Sequence, residues 1–195
     1  MGLPHGAVGP QAPARAASCR PGHPRRPLAD ARGKDGQDHG TMRLSDILSS
    51  AAVRSQAQVS SKKRLFHDLA DMAAAAYGLD AAATLDALQE RESLGATGVG
   101  HGVALPHARI PGLDHVAGLF LRLEKPMDFD AVDRQPVDLV FALLAPDSPG
   151  VEHLKALALV SRTLRDPDLR AKLRANDDPD ALHAVLAAAQ STKAA

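Results

Sequence analysis

From residue 42 onward the apolar positions recur at spacings that assign most of the chain to regular elements. Ser60 or Ser61 precedes Leu65, Leu69, Met72 and Ala76, the stripe of an amphipathic helix, and Gly78 closes it. Asp80 caps a second helix with Leu85 and Leu88 on its buried side, ending near Leu94. From Gly95 to Pro106 the pattern turns glycine-punctuated and short-stranded. Val116 to Leu123 alternates loosely as a strand, and Val137 to Leu144 reads as a buried strand ending at Ala145-Pro146. Helical spacing returns with Leu154, Leu157, Ala158, Val160 and Leu164. Two further helix starts repeat one grammar, Asp166-Pro167 and Asp178-Pro179, each a capping acid followed by proline at the first helical position. Helices, then strands, then helices predict an α/β or α+β sandwich, with one sheet covered by helices.

Composition separates a first segment from this patterned part. Residues 1–41 hold 6 of the 14 prolines and 7 of the 15 glycines, with only Leu3, Val8 and Leu28 as larger aliphatic residues. Such a stretch cannot offset its own ordering entropy, so it is expected to be a disordered extension, as are residues 191–195. Met42, just ahead of Leu44, Ile47 and Leu48, is the expected functional start, and residues 42–190 the folded domain. The segment carries a charge of +3, which leaves −3 for the remainder of a chain whose 23 basic and 23 acidic residues balance. Neutrality, no tryptophan and 3% aromatics argue against a nucleic-acid partner, which needs a basic field or stacking platforms. The apolar run Leu139 to Ala145 is far short of the ~20 residues that span a bilayer. Cys19 is the single cysteine, which excludes an internal disulfide, and it receives no chemical role. A reduced, cytoplasmic location is the expectation.

The chemically informative stretch runs from Arg91 to Arg109. Its glycines, Gly98-x-Gly100-x-Gly102, lead into Val103-Ala104-Leu105-Pro106 and not into a helix, so the dinucleotide fingerprint fails, and no Walker A sequence is present. His107 follows a proline and is expected at a strand edge, mostly neutral at pH 7 and nucleophilic. Arg91 lies 16 residues upstream at a helix end, and His153 in the first turn of a later helix, where an anion is favoured. An imidazole, a guanidinium and a helix start suit a phosphoryl group if the fold brings them together. His101 and His107 form an H-x5-H pair without a carboxylate partner, a weak metal pattern. His67, His115 and His183 are read as structural.

The run Arg91-Glu92-Ser93, Gly98-Val99-Gly100 and Val103-Ala104-Leu105-Pro106-His107-Ala108-Arg109 resembles the signature of enzyme IIA (EIIA) domains of the mannitol/fructose type. These belong to the phosphoenolpyruvate-dependent phosphotransferase system. Phe129-Asp130-Ala131-Val132-Asp133, with Gln135-Pro136-Val137-Asp138-Leu139-Val140-Phe141-Ala142-Leu143-Leu144, is similar to the family's second block, and His153-Leu154-Lys155-Ala156-Leu157-Ala158 to its third. The resemblance implies a compact α/β sandwich with a mixed, mostly antiparallel central sheet flanked by helices. It also implies that His107 accepts a phosphoryl group at Nε2 from an HPr-like phosphocarrier, that Arg91 contacts that group, and that His153 is the second active-site histidine. The glycines would let the donor's histidine approach closely, and neither cofactor nor metal is required.

Two functional classes fit such a site. One is a sugar-specific fructose or mannitol EIIA that passes phosphate to a separate EIIB. The other is the nitrogen-regulatory branch, which binds targets according to its phosphorylation state. Arg43-Leu44-Ser45-Asp46-Ile47-Leu48 and Gln135 to Leu144 are similar to the nitrogen branch, and the regulator is the preferred reading. For it the resemblance implies targets such as potassium transport and sensor kinase components, with no membrane insertion.

Overall fold

Helix boundaries follow from local chemistry in the computed structural model, which describes residues 42–147 and 150–189. The expectations for residues 1–41 and 191–195 lie outside those residues. After a short α1 (Leu44–Ile47) and β1 (Leu48–Ala57), α2 (Lys62–Tyr77) starts where the Ser61 side chain accepts from the Arg64 N–H. It ends at Gly78, whose φ of 68° is the left-handed cap that a Cβ disfavours. Asp80 caps α3 (Ala81–Ser93) by accepting from the Ala83 N–H at 2.7 Å. Strands β2 (Gly98–Gly100), β3 (Val103–Ala104), β4 (His107–Ile110), β5 (Ala117–Met127) and β6 (Val137–Pro146) follow, then α4 (Glu152–Leu164). Asp166 and Asp178 cap α5 (Pro167–Arg174) and α6 (Pro179–Ala188), with proline in each first turn.

The strands form one six-stranded mixed sheet in the order β1-β5-β6-β3-β2, with β4 also on β6. The sheet is mixed, as expected, but its balance differs. β1–β5, β3–β6 and β4–β6 are parallel, and only β2–β3 and β5–β6 are antiparallel. The "mostly antiparallel" balance that the resemblance implies does not hold, because β1, β3 and β4 each run in the same direction as the long strand they pair with. β5–β6 nevertheless has the longest register, from Ala117↔Leu144 to Met127↔Val137.

β6 is the centre of the fold. Residues 139–145 are buried without a break, so both of its faces are covered. Phe120 and Phe141 face each other across β5 and β6 with centroids 6.3 Å apart. Both are fully buried, each contributing about 1.5–3 kcal/mol of transfer free energy. The other edge of β6 holds β3 and β4 end to end in one unbroken register, Val103↔Leu139, Ala104↔Val140, then His107↔Leu143 and Ala108↔Leu144. Leu105-Pro106 is the interruption, because proline has no N–H to give to a ladder. The Pro106 carbonyl still accepts from the Leu143 N–H at 2.9 Å. His107 is thereby held on the central strand.

Candidate functional site

Arg91 lies in the last turn of α3, and α3 packs against β4, which His107 opens. The Arg91 Nε–H donates to His107 Nε2 at 2.9 Å, and one of its terminal nitrogens donates to the Gly95 carbonyl at 3.0 Å. On the other side of the ring, Nδ1 lies 2.9 Å from the Leu105 carbonyl. A carbonyl only accepts, so Nδ1 carries the proton and Nε2 keeps its lone pair. Both bonds demand the same tautomer.

Electrostatics maintain that neutral form. Burial is the largest cause holding the His107 pKa below its ordinary 6.5, and the Arg91 and His153 charges push the same way. The Leu105 carbonyl and Glu92 oppose them without reversing the direction. His107, Arg91 and His153 line one open cleft of about 450 Å³, with Leu94, Leu143 and Leu157 among its apolar walls. His153 stands in the first turn of α4, where no side chain caps the helix, and its Nδ1 lies 3.3 Å from the Gly150 carbonyl. Leu94 (80% exposed), Val151 and Leu154 leave apolar side chains open near these residues. A nucleophilic nitrogen, a guanidinium and an uncapped helix start thus converge, an arrangement suited to an anionic electrophile.

Residues 46–189 match the profile of the phosphoenolpyruvate-dependent sugar phosphotransferase system EIIA 2 family. The chain belongs to that family. A nitrogen regulatory protein of Bradyrhizobium diazoefficiens is 46% identical over 153 residues, covering 78% of this chain and all of that one. The crystal structure of nitrogen regulatory protein IIA-Ntr from Neisseria meningitidis superposes with a TM-score of 0.69 at 34% identity, over 73% of this chain and 98% of that one. A fructose-specific EIIA component of Haloferax volcanii is 40% identical over 108 residues, 55% of this chain and 70% of that one.

In this EIIA domain the three candidate residues are gathered, whereas other readings change. Gly98, Gly100 and Gly102 do not open the cleft to a visitor. Cβ atoms there would meet Ala131, the Asp133 carboxylate, and the Arg174–Asp138 ion pair, respectively, so these glycines serve internal packing. His101 belongs to the β2–β3 hairpin turn, where it and Gly102 both have positive φ, 58° and 76°, as type I′ geometry requires. Its N–H donates to Asp133 at 2.7 Å. Among the described residues no group of three or more His, Cys, Asp or Glu side chains is placed to hold a metal. His183 is a structural residue whose Nε2 lies 3.1 Å from the Leu48 carbonyl, while His67 lies within α2 and His115 stands exposed before β5. The Leu105 carbonyl is the contact that residue patterns missed, since a backbone atom leaves no mark in a sequence.

Proposed function

We propose that the protein is a nitrogen-type EIIA that accepts a phosphoryl group on His107 from an HPr-like phosphocarrier and acts on target proteins according to its phosphorylation state. The observation that carries this reading is the two-sided hold on the imidazole, Nδ1 by the Leu105 carbonyl and Nε2 by Arg91. His107 Nε2 attacks the phosphorus of the donor phosphohistidine. The new P–N bond forms as the donor's P–N bond breaks, and the donor imidazole leaves with that electron pair. Nε2 carries no proton, so none has to depart in the step. The positive charge that grows in the ring is stabilised through Nδ1–H by the Leu105 carbonyl. Arg91 neutralises the phosphoryl oxygens in a loose transition state governed by position and charge, and His153 with the first turn of α4 completes the cradle.

The nitrogen branch is supported by identity and extent together, since the Bradyrhizobium relative is 46% identical along 78% of the chain, whereas the Haloferax fructose-specific component is 40% identical along 55% and a Bacillus subtilis fructose-specific EIIABC component only 28% identical along 72%. Among the described residues no helix is long and apolar enough to cross a membrane. The reading assigns the protein to the cytoplasm, with targets of the potassium-transport or sensor-kinase kind. Phosphorylation adds up to about two negative charges in the cleft that exposed Leu94 lines, enough to reverse a partner's preference for that surface. The test is transfer from phosphoenolpyruvate, enzyme I and an HPr-like carrier, with the protein weighed intact beside His107→Ala. One acid-labile phosphate is expected, absent in the variant. Failure with several carriers would remove the carrier role.

A further inference from the structure

Glu92, next to Arg91 in the chain, has no part in the reading above, yet its side chain is only 8% exposed. Its carboxylate accepts from the Thr97 hydroxyl at 2.6 Å and from the Thr97 N–H at 3.3 Å. Lys62 of α2 approaches the same carboxylate to 2.6 Å, reaches Asp130 at 3.2 Å, and lies 4.4 Å from the centroid of the buried Phe129 ring. Burial alone would lower the Lys62 pKa, but the bonds to Glu92 and Asp130 outweigh it and hold the pKa above the ordinary value. A carboxylate this enclosed is costly unless each oxygen is met, and here both are.

The continuation of these bonds is what matters. The Thr97 carbonyl accepts from the Leu105 N–H at 2.9 Å, and the Leu105 carbonyl holds His107 Nδ1 at 2.9 Å. His107 Nε2 takes the Arg91 Nε–H, and Arg91 is bonded through the peptide to Glu92. The circuit closes. It passes from Glu92 to Thr97, Leu105, His107 and Arg91, and returns to Glu92. The Glu92–Thr97 contact ties the end of α3, which carries Arg91, to the segment whose Thr97 carbonyl holds the Leu105 N–H.

We propose that Glu92 is a positioning residue for the transfer, closing with Thr97 a ring of bonds that fixes the His107 imidazole at both nitrogens. This rests on the phosphoryl-acceptor reading of His107. Lys62 pairs with the Glu92 carboxylate at 2.6 Å and anchors it to α2.

The test compares Glu92→Gln, Thr97→Val and Thr97→Ser in the full chain by melting, by single-turnover transfer from the HPr-like carrier, and by the 15N signals of the His107 ring without phosphate. Glu92→Gln and Thr97→Val are expected to stay folded and to accept phosphate at least about tenfold more slowly, as small misplacements of reacting groups do. Their His107 signals are expected to move from one tautomer toward a mixture of two. Thr97→Ser, which keeps the hydroxyl, is expected to restore the rate to within about twofold. Folded variants with the parent rate and unchanged ring signals would overturn the proposal, and so would a lower melting temperature with both readouts unmoved. If Glu92→Gln fails to fold, Thr97→Val decides. Unfolding of both would assign the pair to stability alone and equally overturn it. Should the parent protein accept no phosphate from any carrier, the acceptor reading fails, while the ring signals still decide whether Glu92 and Thr97 set the tautomer.

Discussion

Arg91 Nε donates to His107 Nε2 at 2.9 Å, so the guanidinium rests on the one ring nitrogen left without a proton. In the proposed transfer that lone pair must be released as phosphorus arrives, and the guanidinium then meets the phosphoryl oxygens. In that proposal Arg91 is both a guard of the resting nucleophile and the charge that receives its new substituent. Its bond to the Gly95 carbonyl keeps it in place during the exchange.

Arg91→Ala is expected to slow phosphoryl acceptance by at least about two orders of magnitude, the effect of losing a preorganised donor. Arg91→Lys is expected to recover little, because an ammonium has no planar fork to serve Nε2 and Gly95 together. Rapid-quench transfer kinetics check both variants, and an unchanged rate in Arg91→Ala would remove it from the mechanism.

The pH response has a definite sign. Burial, reinforced by Arg91 and His153, keeps the His107 pKa below 6.5 in the native protein. Between 6.5 and that lower value the unfolded chain binds a proton that the native chain does not. His107's contribution to stability is thus complete above 6.5 and is lost as the pH falls through that window. The acid inflection of the transfer rate is expected below pH 6.5, because Nε2 stays mostly unprotonated above it. An NMR titration of the ring against the pH–rate profile checks this; an inflection above 6.5 in either would contradict it.

Gly102→Ala places a Cβ on the Arg174 guanidinium and 2.8 Å from Asp138 Oδ1, at a φ of 76°. Arg174 holds Asp138 through two bonds of 2.7 Å and also reaches the His101 carbonyl at 2.9 Å, so the hairpin turn has no room to yield. A loss of about 1–3 kcal/mol is expected from backbone strain, with the ion pair displaced in addition. Urea denaturation measures it, and a midpoint equal to the parent's would show that the turn relaxes freely.

Asp166→Ala removes a cap whose carboxylate accepts from the Asp168 N–H at 3.0 Å and the Leu169 N–H at 3.4 Å. A cost of about 1 kcal/mol is expected, largely recovered by Asn, which caps as well. The same denaturation experiment reads the loss, and equal stability of the Ala and Asn variants would refute the capping role.

Helices α2, α3, α5 and α6 were legible because their ends are set by neighbours in the chain: Ser61, Gly78, Asp80, Asp166 and Asp178 act within three or four residues. β1 was not legible. Its sequence, Leu-Ser-Ser-Ala-Ala-Val-Arg-Ser-Gln-Ala, lacks the large alternating side chains of a strand. It exists as one because β5 offers a parallel ladder and because α2 and α6 pack on it. β4 is only four residues long and is a strand because β6 receives it.

By itself the sequence determined the helix ends, the buried β6 strand, the family signature and the identity of His107, Arg91 and His153 as candidates. These are local patterns or residue chemistry, expressed without reference to the rest of the chain. Only the tertiary structure decided that Arg91 meets Nε2, that the Leu105 carbonyl selects the tautomer, and that Glu92 and Thr97 join the two supports. Those contacts depend on the register of β3 and β4 along β6 and on the docking of α3 against β4. Register and docking are settled by burial across the whole domain, and no window of local sequence contains that information.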